Sequence, residues 1–286
     1  MASAHTNENR LDTTPSLLFD DAGERAETRF LNLSALHDAR TIHHLNQRGI
    51  EVLWSCLEVG GSRSITSWLC ARVGFNGRVL AADTEARFLR ALSFPNLEVW
   101  PHDLRQELLP VREFALVHVR LPLIQLPEWE SALRRMVAAL KPGGWIMVEE
   151  SDEMSLLPDL AVNPGALSPR VRHPFQQVAT SAGVDMRHGR LLPQKLRTNG
   201  LVNIGAETSV FVWKARSAGT GLLKLNCEEL REATGWRFMS PHEFEADMNR
   251  VDEQDFFTLS QRLWTAWGQL PDVAESRSWW AAAMAG

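Results

Sequence analysis

Leu57-Glu58-Val59-Gly60-Gly61-Ser62-Arg63-Ser64-Ile65 is the stretch on which the reading of this chain turns. An apolar run ends in two glycines and opens into a helical pattern over Ile65 to Val73. Glycine suits such a strand-to-helix turn because the backbone must reverse sharply and let a ligand come close. Val52 to Val59 reads as the first strand. Arg78 to Ala82 reads as the second, and Asp83 closes it about 20 residues beyond the glycines, where a ribose-binding acid belongs.

Outward from this loop, short apolar runs alternate with helical patterns, which predicts βαβ units and a largely parallel sheet. Glu85 to Leu92 reads as a helix, and Leu97 to Trp100 and Ala115 to Val119 as strands. Trp129 to Leu140 is strongly amphipathic, and the turn Lys141-Pro142-Gly143-Gly144 leads to a fifth strand, Trp145 to Glu149. Upstream, Phe30, Leu33, Leu36, Ile42 and Leu45 recur at helical spacing. Downstream, Pro158, Pro164, Pro169 and Pro174 break any long element before helices at Phe175 to Ala182 and Leu192 to Thr198. Val202 to Trp213 reads as one long strand, and Asn226 to Thr234, Pro241 to Val251 and part of Asp255 to Leu263 as helices. Arg262 to Trp267 reads as a final strand. The expected organisation is a lead over 1–20, cap helices over 21–50, one domain over 51–271 with helical insertions near 153–200 and 220–260, and a tail over 272–286.

An apolar fraction of 44% against 23% charged residues gives enough core-forming material for a folded domain rather than a disordered chain. The net charge of −5, with no basic run, argues against a nucleic-acid partner. Cys56, Cys70 and Cys227 lack CxxC spacing, so neither a disulfide framework nor a zinc site is expected. No signal-peptide pattern and no membrane-length apolar run is visible, which predicts a cytoplasmic protein without a membrane partner. Eleven Trp with no Tyr fit either GC-rich codon usage or an apolar pocket.

In an open α/β sheet the ligand lies beyond the carboxyl ends of the strands, where the strand order reverses. Four segments fall there: the glycine loop, Asp83, Pro101-His102-Asp103-Leu104 and Val117-His118-Val119-Arg120. Their order and spacing resemble the class I S-adenosylmethionine-dependent methyltransferases. The resemblance is greater to a bacterial small-molecule subgroup whose first strand reads L-E-V-G-A-G-G-G-S-I. It continues through Phe114 to Asp152, with Pro127-Glu128 and Leu140-Lys141-Pro142-Gly143-Gly144-Trp145, then through His188-Gly189-Arg190-Leu191-Leu192-Pro193 and Asn199-Gly200-Leu201 to Trp264-Thr265-Ala266-Trp267-Gly268. It spans about Arg29 to Gly268.

This resemblance implies an α/β, Rossmann-like class I methyltransferase fold: a mostly parallel seven-stranded sheet with helices on both faces and an added helical cap. It implies S-adenosylmethionine as cofactor. Glu58, Gly60, Gly61, Asp83 with the adjoining Thr84, and Asp103 match the family's cofactor contacts, and His102 and the Val119-Arg120 backbone stand beside the adenine and methionine ends. Two departures stand out. The loop is one residue shorter than the family pattern, with Ser62-Arg63-Ser64 where glycines are expected, and Ala115 replaces the usual Asp after Phe. Arg63 either meets the methionine carboxylate or fills the cofactor's place.

The function expected is methyl transfer to a small, apolar or aromatic metabolite of bacterial specialised metabolism. The alternative is a methyltransferase-like protein that has lost this activity and catalyses a cyclisation, rearrangement or elimination, or only binds its ligand. A hydroxyl acceptor calls for a base, for which Asp152 and His173 are the candidates. A helix cap and a surface loop are their ordinary alternatives. His43 and His44 face different sides of an N-terminal helix, so one of them lines a pocket or packs. No spaced ligands suggest a metal, and no G-x-S-x-G elbow suggests a hydrolase. Surface hydrophobes in the cap suit a homodimer.

Overall fold

A computed structural model describes residues 25–126, 128–155, 185–234 and 240–272. The lead, Pro127, the helix expected over Phe175 to Ala182, the four prolines before it, His173 and residues 273–286 lie outside the described residues. The elements run α1 (Ala26–Gln47), β1 (Ser55–Val59), α2 (Arg63–Val73), β2 (Arg78–Asp83), β3 (Leu97–Pro101), β4 (Phe114–Arg120), α3 (Trp129–Ala138), β5 (Leu140–Asp152), α4 (His188–Thr198), β6 (Val202–Ser209), β7 (Val212–Lys214), α5 (Ala218–Thr234), α6 (Pro241–Arg250), β8 (Phe257–Leu259) and β9 (Arg262–Gln269).

Seven strands form one sheet in the order β3-β2-β1-β4-β5-β9-β6, and β7 and β8 form a separate two-stranded ribbon. β1 pairs in parallel with both β2 and β4, so the order reverses between β1 and β4. β9 enters antiparallel between β5 and β6.

Strand periodicity divides the core. Cys56, Leu116 and Met147 point to one face and meet Leu45 of α1 and Ile65, Leu69 and Val73 of α2. Leu57, Val117 and Ile146 point to the other and meet Leu133 and Met136 of α3 and Leu192 and Leu196 of α4. On α3, Trp129, Ala132, Leu133, Met136 and Val137 are buried, an i, i+3, i+4, i+7, i+8 stripe. At α6, Ser240 and Glu243 form a capping box ahead of Pro241, which sets that helix's start.

Several expected elements differ. Glu85 to Leu92 yields a single 3₁₀ turn, Leu89–Ala91. The Asp83 side chain accepts the Glu85 N–H at 2.6 Å, which commits the chain to a turn where a helix was expected. Val202 to Trp213 is two strands in two sheets, parted where the Phe211 N–H is taken by the Ser260 hydroxyl. Asp255 to Leu263 carries β8 instead of a helix, because β7 offers it an edge. α4 and α5 begin at His188 and Ala218, earlier than Leu192 and Asn226. No helix among the described residues is long and apolar enough to cross a membrane.

Candidate functional site

The glycine loop turns on two residues only. Gly60 has φ +101° and Gly61 φ +71°, Ser62 is already extended, and α2 begins at Arg63. Ser62, Arg63 and Ser64 therefore need no left-handed backbone, and the missing glycine is absorbed by starting the helix directly after Ser62. Arg63 does not lie in the loop's mouth. Its guanidinium is partly exposed and faces Glu27 of α1 at 3.5 Å.

A Cβ on Gly61 would stand 2.8 Å from Asp83 Oδ2 and 3.5 Å from the Phe30 ring. The second glycine thus leaves a cradle facing the carboxylate at the end of β2. Burial raises the Asp83 pKa. Thr84 follows in an exposed turn. His102 is buried, its backbone N–H donates to Asp83 O at 3.0 Å, its Nδ1 lies 3.0 Å from Glu107, and its Nε2 has no partner. The Asp103 carboxylate is gripped by Arg105 through Nε and a terminal nitrogen at 2.8–3.0 Å, and that hydrogen bonding lowers its pKa. The Val119 side chain is in the core beneath the loop, so only its backbone borders the site.

Arg120 ends β4 and reaches across the loop, donating to Asp38 at 2.9 Å, Thr41 at 3.1 Å and Ser62 at 3.2 Å. Leu121 follows with φ +70°, a conformation a leucine pays for with about 1–2 kcal/mol. This bend brings Pro122 over the loop, with its Cγ 3.2 Å from the position of a Cβ on Gly60.

Under the loop lies a charge network on the α1 face. Register places His118 beside Glu58 on adjacent parallel strands. Its Nδ1 is 2.5 Å from Glu58 and its Nε2 3.3 Å from Glu149. Glu149 also accepts from Thr41 at 2.6 Å and Thr265 at 2.8 Å. Burial opposes charge on His118, but the two carboxylates outweigh it and raise its pKa to about 9. Burial likewise opposes charge on Glu149, and His118, Arg120 and Thr41 outweigh it, lowering its pKa to about 2. Burial raises Glu58, whose Oε1 has no partner.

The two residues considered for a base fare differently. Asp152 is held by Arg190 at 2.7 and 2.9 Å, so it ties α4 to β5 and offers no free carboxylate. His173 lies outside the described residues. His43 is exposed, whereas His44 is buried against Trp267 with ring centroids 5.5 Å apart.

Asp38, Thr41, Glu149 and Thr265 were not singled out from sequence, and His118 only as part of a segment. A usable signal existed in Glu58, His118 and Glu149, three ionisable residues inside runs otherwise apolar enough for buried strands.

Residues 16–203 match the family model described as "Methyltransferase domain", well over half of the chain, and the chain belongs to that family of class I, S-adenosylmethionine-dependent proteins. It is similar to Methyltransferase str2 of Strobilurus tenacellus, 28% identical over 117 residues, covering 38% of this chain and 40% of that protein. Among solved structures it resembles phosphoethanolamine N-methyltransferase 2 of Haemonchus contortus, in complex with phosphomonomethylethanolamine and S-adenosylhomocysteine. That match has a TM-score of 0.52 at 14% identity, over 88% of this chain and 59% of that one. A protein of Bacillus halodurans described as a methyltransferase matches with a TM-score of 0.52 at 14% identity, over 82% of this chain and 99% of its own. The matches thus span only part of the first two relatives' lengths, and the structural likenesses speak for the fold.

Proposed function

We propose that this chain is a methyltransferase that binds S-adenosylmethionine along the carboxyl ends of β1 to β4 and methylates a small apolar or aromatic metabolite. The observation that carries this is the pairing of Gly60 and Gly61, both at positive φ, with the Asp83 carboxylate facing Gly61. The residues present fit the cofactor. Asp83 would take the ribose hydroxyls, and His102 with its unpartnered Nε2 would stand at the adenine end beside Asp103. At the methionine end, Glu58 with its free Oε1 suits an ammonium, and Arg120 with Ser62 suits a carboxylate. When bound, the cofactor supplies an electrophilic methyl group.

The protein's own work is then alignment and exclusion of water. Phe30 and Phe88, edge to face at 5.3 Å, roof the Gly61 side of the cradle. Arg120 pins α1 over the loop through Asp38 and Thr41. The same contacts favour a second reading, because a cap lying this close to the loop also suits a fold repurposed for cyclisation, rearrangement, elimination or binding alone.

Isothermal titration of the purified chain with S-adenosylmethionine and with S-adenosylhomocysteine tests for the cofactor site that methyl transfer requires. Micromolar binding of both, weakened at least about tenfold in Asp83→Ala, supports the first, since a charged hydrogen bond contributes about 1.5–3 kcal/mol. Absence of binding to either in the wild type leaves the repurposed fold.

A further inference from the structure

On the opposite face of the sheet, at the same carboxyl edge, three buried polar groups are each missing a partner. Glu150 and His188 are both 0% exposed, and Glu150 Oε2, His188 Nε2 and Trp264 Nε1 have no hydrogen bond. They come from β5, α4 and β9, and they belong to one neighbourhood. Glu150 and Trp264 are register partners on adjacent strands. Gly189 is wedged against both, since a Cβ there would stand 2.6 Å from Trp264 Cδ1 and 2.7 Å from Glu150 O. His188, the next residue back, lies against Trp129 with ring centroids 4.6 Å apart. A buried polar atom without a partner costs about 1–3 kcal/mol, so three together favour a molecule that can hydrogen-bond to them.

The hydrogens can be assigned. His188 Nδ1 is bonded to the Asp185 carbonyl, which only accepts, so Nδ1 carries the hydrogen. Burial lowers the ring's pKa and keeps it neutral, which leaves Nε2 a bare lone pair. The Trp264 indole can only donate. Glu150 Oε1 accepts the Leu123 and Ile124 N–H groups at 2.8 and 3.3 Å. Burial pushes its pKa up to about 8, so at neutral pH most molecules carry a proton on the free Oε2. The inventory is one acceptor and two donors. A hydroxyl, with one hydrogen and two lone pairs, is its complement, whereas a protonated amine, which only donates, is not.

We propose that Glu150, His188 and Trp264 anchor the hydroxyl of an aromatic alcohol or phenol, with Trp129 beside His188 as an aromatic wall. This rests on the methyltransferase reading and narrows its substrate to a hydroxyl-bearing aromatic molecule. The turn that joins the two places supports it, because Pro122 touches the glycine loop and the next two N–H groups are the ones Glu150 accepts.

The test compares phenol with toluene, its hydroxyl-free counterpart, by isothermal titration into the full chain with and without saturating S-adenosylhomocysteine. The expected result is phenol at least about tenfold tighter than toluene, roughly one buried hydrogen bond's worth. In His188→Phe, which keeps an aromatic ring against Trp129 and removes the lone pair, that preference should fall to about threefold or less, with toluene affinity unchanged. Trp264→Phe should reduce it in the same direction, and serves in place of His188→Phe if that variant does not fold. No preference in the wild type, or one retained in the folded variants, overturns the proposal. Failure of S-adenosylhomocysteine to bind counts against the cofactor reading alone, because the phenol preference is also read without it.

Discussion

Glu149 and Glu150 are neighbours in one strand, yet the sheet sends them to opposite faces and opposite fates. Glu149 meets His118, Thr41 and Thr265 on the α1 face, and its pKa falls to about 2. Glu150 meets backbone N–H groups but no opposite charge on the α3 and α4 face, and burial raises its pKa to about 8. One face spends its buried charge on itself and becomes a strut between the cap helix and the sheet. The other buries polar atoms with no opposite charge among them. Burial alone predicts the rise at Glu150 but not the fall at Glu149; what decides is whether an opposite charge is buried alongside.

Breaking the strut should have the largest effect. His118→Leu leaves Glu58 and Glu149 without their shared cation, and should lower unfolding free energy by about 3–5 kcal/mol in urea titration. A loss under about 1 kcal/mol would mean the network is ornamental. Next in size is a pH dependence. The stabilisation from Glu149 is present above its unfolded pKa and is lost as pH falls toward about 2, whereas that from His118 is complete below its unfolded pKa and is lost as pH rises through about 9. The strut is therefore strongest between the two unfolded values, about 4.5 to 6.5, and thermal melts of wild type against His118→Leu should differ most there. The remaining effect concerns the other face and is of similar size, since each pH unit between the two pKa values is worth about 1.4 kcal/mol. In the folded state Glu150 holds its proton up to about pH 8 while the unfolded chain releases it near 4.5, so this group makes stability fall across that interval. Glu150→Gln mimics the protonated acid and should be nearly neutral at pH 5, then gain on the wild type as the pH rises to 8. A flat difference across that range would show that Glu150 is ionised when buried.

The fold was readable because its decisive features are local. Two glycines at the end of an apolar run, an acid closing the next strand and regular strand and helix alternation each occupy a few adjacent residues. Errors fell where a short window fits two structures. Glu85 to Leu92 has helical spacing, but a side chain just before it, Asp83, takes the backbone N–H that would start the helix. Asp255 to Leu263 became a strand because of an edge some forty residues earlier in the chain, at Val212 to Lys214. The site divides the same way. The positions of Gly60, Gly61 and Asp83 in the turn follow from spacing. The link from Glu58 through His118 to Glu149 needs the register of three strands, and the idle atoms of His188 and Trp264 need the packing of a helix against two strands.

The contacts of α1 bear on how the protein is made. This helix is made before the segments it bonds: Thr41 bonds Glu149 108 residues later, Arg40 bonds Glu207 167 residues later, and Arg25, just ahead of the helix, bonds Glu232 207 residues later. Thr265, the other hydroxyl on Glu149, comes later still. The helix that roofs the cradle must therefore wait for segments made more than a hundred residues later to hold it down. Contacts this distant slow folding, because the loops between them must close before the bonds can form. A nascent chain halted after β4 would carry the glycine loop, Asp83 and Arg120 with neither Glu149 nor β9 to secure the roof, so the cradle is finished only once β9 has been made.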